Sequence, residues 1–109
     1  MRRRNIKKLE ANIKNAKNKI EKALAYYNLG LFHDNNARES EAIPNYLLAL
    51  KFGLNKNLKS KALAWLASSF YKIGKPKEAL KKLKESKKIA DIKLGKFLIG
   101  LEKRIQKSF

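Results

Sequence analysis

The chain has 109 residues, no cysteine, one histidine and a formal net charge of +18. That length suits a single domain, 1–109, with a modest core, while the missing thiols exclude a disulfide framework or thiolate zinc site and the lone His33 argues against a histidine-rich metal site or a Ser-His-Asp relay. No apolar run approaches the roughly 18 residues of a membrane span, no apolar stretch follows Met1-Arg2-Arg3-Arg4 as a secretory signal requires, and two prolines and five glycines are too few for a turn-rich β fold. The expectation is a cytoplasmic, all-α protein without metal or cofactor.

In residues 1–20, a basic segment, Ile6, Leu9, Ile13, Ala16 and Ile20 recur at spacings of three and four, an a/d stripe on one helix face. No Gly or Pro separates this segment from Ala23, and only Asn15 and Asn18 mark a turn. It either folds back on the next helix or runs on and offers an apolar seam for a homodimer.

The next two segments, residues 23–54 and 60–91, superpose without gaps at an offset of 37. In the first, Tyr26, Leu29, Gly30 and His33 form one helical stripe, and Ala42, Tyr46, Ala49 and Leu50 another. In the second, Leu63, Leu66, Ala67 and Phe70 are followed by Ala79, Leu80, Leu83 and Ser86. Gly30 is expected to face Ala42, and Ala67 to face Ala79, as small residues that let two antiparallel helices approach. Gly74 can cap a helix with φ > 0 and Pro76 can start the next one. In the first break, Asn35 or Asn36 is expected to take the left-handed conformation. Pro44 implies a second helix that starts late, with Ser40 as N-cap, or that kinks.

Residues 92–107 carry Leu94, Phe97, Leu98, Leu101 and Ile105, a stripe with no following partner, which reads as a C-terminal capping helix. Gly95 and Gly100 lower its propensity, and close packing against a neighbour is expected to explain them.

These paired stripes resemble the tetratricopeptide repeat, on Tyr26, Leu29, Gly30, His33, Ala42, Tyr46 and Ala49 in the first unit and Leu63, Leu66, Ala67, Phe70, Gly74, Ala79, Leu83 and Ser86 in the second. His33 replaces the usual Tyr, and Leu54 and Asp91 stand where the family has Pro. The offset is three longer than the family norm, so the loop at Gly53-Leu54-Asn55 is expected to be extended. The resemblance implies antiparallel helix hairpins stacked as a short right-handed α-solenoid, with flanking N- and C-terminal helices. Such an array needs an N-terminal cap, which favours a folded-back first helix. It further implies a concave groove that binds a peptide or helix of a protein partner. By carried-over position the groove takes Tyr27, Leu31 and Asp34 from the first unit. From the second it takes Lys61, Ala64, Ser68, Tyr71 and Lys72, with Trp65 at the edge as an anchor or as a residue packed on the first unit. The family's subclass that grips a terminal carboxylate needs a Lys, Asn, Asn, Lys, Arg set. Tyr27, Leu31, Trp65, Gly95 and Ile99 stand there instead.

No residue set promises catalysis. Glu39 and Glu41 are two apart at a helix start, where they face apart and complement the helix dipole. Ser68 and Ser69 have no adjacent base, and no glycine-rich phosphate loop occurs. His33 falls on the buried stripe and reads as a core residue. The basic surplus is spread over every segment except 23–53, and 22 of the 27 basic residues are Lys, a skew that biased coding composition alone produces. A field of this size favours an acidic partner in the groove. Nucleic acid is the second reading, drawn to Arg2-Arg3-Arg4, Lys7-Lys8 and the row Lys81, Lys84 and Lys88. The lysine runs lack the interleaved aromatics or arginines that such binding uses.

Overall fold

The computed structural model describes residues 2–109, with side chains from Asn5 onward, so the Arg2-Arg3-Arg4 cluster lies outside the described side chains. Among the described residues there are six α-helices and no strand. They are α1 (Arg2–Lys14), α2 (Lys19–Asn35), α3 (Glu39–Phe52), α4 (Lys56–Lys72), α5 (Pro76–Lys87) and α6 (Ile92–Gln106). The chain divides into two compact units, Met1–Leu54 and Asn55–Phe109.

The breaks between helices repeat in their hydrogen bonds. At the end of α2 the Arg38 N–H donates to the His33 carbonyl at 2.9 Å and the Ala37 N–H to Asp34 at 3.1 Å. At the end of α4 the Lys75 N–H donates to Phe70 at 2.9 Å and the Gly74 N–H to Tyr71 at 3.1 Å. Both are Schellman closures, which require a left-handed residue just past the helix. Gly74 fills that place with φ 80°. In the first unit Ala37 fills it with φ 56°, not Asn35 or Asn36. Asn36 instead donates its side-chain amide to the Phe32 carbonyl at 2.7 Å.

The helix starts repeat too. Asn18, Asn55 and Asp91 each accept from the backbone N–H three residues on, at 2.9, 2.9 and 2.8 Å. These caps satisfy donors that a helix start leaves orphaned. The Asn15–Asn18 turn separates α1 from α2, and α1 lies against α2 within the first unit. Ile6, Leu9, Ile13 and Ala16 are half-buried, whereas Ile20 leaves the stripe and is 76% exposed. Helix α3 begins right after Arg38, so Ser40 is not its N-cap and Pro44 stands inside the helix. Only residues 53–55 separate α3 from α4, so the expected long loop is a three-residue link whose Gly53 has φ 106°.

In the first unit Ala23, Leu29, Ala42, Ile43, Tyr46 and Ala49 are buried between α2 and α3. Gly30 makes room for the Tyr46 ring rather than for Ala42: a Cβ there would stand 2.8 Å from two ring carbons. At the other end of the hairpin Tyr26 stacks on Phe52 at 5.7 Å, with the Lys22 ammonium 5.1 Å from the Phe52 ring centre. In the second unit Ala64, Ala67, Ala79, Leu83, Leu94, Leu98, Leu101 and Ile105 form one cluster, so α6 completes the core of the α4–α5 hairpin. Each fully buried Leu or Ile there contributes about 1.5–3 kcal/mol. Ser86 supports the packing by donating to the Ser60 carbonyl at 2.7 Å. Gly95 and Gly100 meet nothing within 4 Å of an added Cβ, so close packing is not what keeps them in α6.

Candidate functional site

The residues expected to line a groove have separate fates in the first unit. Tyr27 is 5% exposed and its ring tilts against Tyr46 at 6.0 Å, so it belongs to the interior. Asp34 accepts a hydrogen bond from the Tyr46 hydroxyl at 2.9 Å. Burial, reinforced by the Asp34 charge, pushes the Tyr46 phenol far above its ordinary pKa and keeps it a donor. Leu31 is half-buried. Beside this pair, Glu41 Oε2 lies 3.2 Å from His33 Nδ1 and 3.3 Å from Arg38 Nε, at ion-pair distance but without hydrogen-bonding alignment. Arg38 also lies over the Phe32 ring at 5.6 Å.

In the second unit Ala64 is fully buried. Lys61, Trp65, Ser68 and Lys72 recur at i, i+4, i+7 and i+11 and share one face of α4. Tyr71 is half-buried against the core. Trp65 meets Phe97 of α6 edge to face, with centroids 5.4 Å apart, a favourable aromatic geometry. Together they wall a cleft of about 310 Å³ lined by Lys61, Trp65, Asp91, Lys93, Leu94 and Phe97. Phe97 is 36% exposed, so the cleft presents apolar surface to a ligand. Asp91 caps α6 through the Leu94 N–H, and the Lys61 and Lys93 ammoniums outnumber its single carboxylate at the rim.

Sequence reasoning found Lys61 and Trp65 but not the opposite wall. Phe97 was legible only as an off-centre member of the α6 stripe. Nothing in the spacing ties it to a residue 32 positions earlier. Among the described residues no three His, Asp or Glu side chains converge as a metal site, and no helix is long and apolar enough to cross a membrane.

Two hairpins with matched closures, small residues at the helix contact and a terminal helix on the last hairpin define a helical-repeat protein. The Tetratrico peptide repeat family matches residues 22–100, and the chain belongs to that family. Its members generally mediate protein–protein interaction as non-catalytic scaffolds. Comparison with curated proteins finds no match.

Proposed function

We propose that this protein is a non-catalytic scaffold that binds a short peptide or helix of a protein partner, acidic with an apolar anchor, in the cleft between α4 and α6. The observation that carries this reading is the Trp65–Phe97 pair over Leu94 with Lys61 and Lys93 at the rim. Aromatic side chains that are half-exposed in a pocket are the usual energetic anchors of an interface. The two ammoniums select for carboxylates and raise the association rate more than the affinity. Ser68 and Lys72 extend the same face of α4 for a few more ligand residues. Because the cleft is small, a free peptide buries little area and still loses its full conformational freedom, so binding is weak and fast.

Trp65 is the chain's one tryptophan, so its emission reports on the cleft alone. Peptides selected from a random library on the immobilised protein are expected to be acidic with a large apolar residue, and to shift Trp65 emission on titration. A combined Lys61→Glu, Lys93→Glu variant should weaken them at least about tenfold. Selected peptides that leave Trp65 emission unchanged, or that ignore the charge reversal, would place the binding site elsewhere.

A further inference from the structure

Residues 55–109 hold 16 basic and 4 acidic side chains, a surplus of 12, against 11 and 5 in residues 1–54. The acids of the second unit are already committed. Glu85 pairs with Lys82 at 3.3 Å and Glu102 with Lys87 at 3.2 Å. Asp91 caps α6, and Glu78 sits in the first turn of α5, where it complements the helix dipole. Four lysines, Lys77, Lys81, Lys84 and Lys88, remain exposed without an ion pair among the described residues. They recur at i, i+4, i+7 and i+11, a straight row about 16 Å long on the exposed side of α5 and its C-cap residue Lys88. Phe109, 64% exposed, lies beside this row, where Lys77, Leu80, Lys81, Lys84 and Phe109 line one cleft of about 380 Å³. The aromatic ring that the lysine run lacks in sequence is thus supplied by the far end of the chain.

The geometry points to single-stranded nucleic acid as the ligand of this face: the lysine row follows the phosphates of one strand, and an unpaired base stacks on Phe109. A row of cations with an accessible ring is the combination that binds single strands without reading sequence. A duplex would hide the base faces that the ring needs. An anionic bilayer fits less well, because a membrane-seated helix needs a free apolar face, and Ala79 and Leu83 of α5 are spent in the core. An acidic peptide can offer carboxylates to the lysines but no planar base to stack on Phe109. This surface is separate from the α4–α6 cleft, and the two can be tested independently.

The test uses the full chain and a fluorescein-labelled oligo-dT of about 12 nucleotides, within the usual footprint of single-strand sites. Four phosphate contacts predict that log K falls with log salt at a slope of about −3. Changing Lys77, Lys81, Lys84 and Lys88 to Gln together should flatten that slope by about 3. The same change at Lys7, Lys8, Lys14 and Lys17 should leave it intact. Phe109→Ala should cost about tenfold in affinity with little effect on the slope. All these positions are exposed, and unchanged helical circular dichroism checks that each variant folds. Equal flattening by the two lysine sets, or no loss with Phe109→Ala, would overturn the assignment. So would polyglutamate or phosphatidylserine vesicles that bind as tightly as the oligonucleotide at the same salt and lose that affinity when Lys77, Lys81, Lys84 and Lys88 are changed to Gln.

Discussion

At the residue scale the two closures compare one position in two chemistries. Ala37 and Gly74 stand 37 apart, the repeat offset, and both adopt the left-handed conformation. An alanine there costs energy because its Cβ crowds the following carbonyl. Ala37→Gly should therefore stabilise the protein by about 0.5–1 kcal/mol, and Gly74→Ala should destabilise it by about 1 kcal/mol or more, read by urea unfolding. The offset alone would have placed the strain at Ala37. Reading Asn as the turn former instead followed local propensity, which the repeat overrides. His33 carries a second prediction. Burial lowers its pKa, with Arg38 acting in the same direction, while Glu41 and Glu10 oppose the shift without cancelling it. The folded state thus holds neutral His33 more firmly than the unfolded chain, whose imidazole titrates near 6.5. That contribution is complete above about pH 6.5 and is lost as pH falls toward the depressed folded value. Between about pH 7.5 and 5 the melting temperature of the wild-type protein should fall further than that of His33→Gln. Parallel curves would show that His33 is not the titrating group.

At the element scale α6 is the informative helix. Its Asx cap at Asp91 continues the series Asn18, Asn55, so it stands where a third hairpin would begin. The positions that pack a second helix in the first hairpin, Tyr26, Leu29, Gly30 and His33, correspond from those caps to Ile99, Glu102, Lys103 and Gln106. That face is mostly polar, and Glu102 bonds Lys87. A terminal helix with one apolar and one polar side is what ends a repeat array. The helix was legible as a cap from its stripe. The three-fold cap series is not legible in the sequence, because the third copy lacks the apolar and small residues that mark the first two. The role of the glycines is hidden in the sequence for a related reason. A small residue inside a helix suggests a close neighbour, and only the folded structure shows that Gly95 and Gly100 face open space. Each replacement by Ala should then stabilise α6 by roughly 1 kcal/mol, since only backbone entropy is at stake. In a domain of this size that is a rise of about 4–8 °C in Tm per substitution. The two should add within about 0.5 kcal/mol if no contact couples them. A loss of stability with either would show that an added Cβ meets a neighbour at that position.

At the scale of the whole molecule the net charge of +18 opposes the compact state, because like charges repel more strongly once brought together. The described ion pairs that offset it are few, and Lys82–Glu85 and Lys87–Glu102 lie at the surface, where such a pair stabilises by about 0–1 kcal/mol. Salt shortens the reach of both effects, to about 10 Å at 0.1 M. Repulsion is summed over many distant pairs, whereas each ion pair acts at contact, so screening removes more repulsion than attraction. The melting temperature should rise as NaCl is increased from about 20 to 300 mM. The 16 basic and 4 acidic side chains of residues 55–109 locate most of the effect. Changing Lys77, Lys81, Lys84 and Lys88 to Gln should raise Tm at low salt and reduce its salt dependence, while the same change at Lys7, Lys8, Lys14 and Lys17 should do less. A melting temperature that falls with salt would mean that the few ion pairs outweigh the repulsion. The lysine surplus would then impose no stability cost that an anionic ligand could relieve.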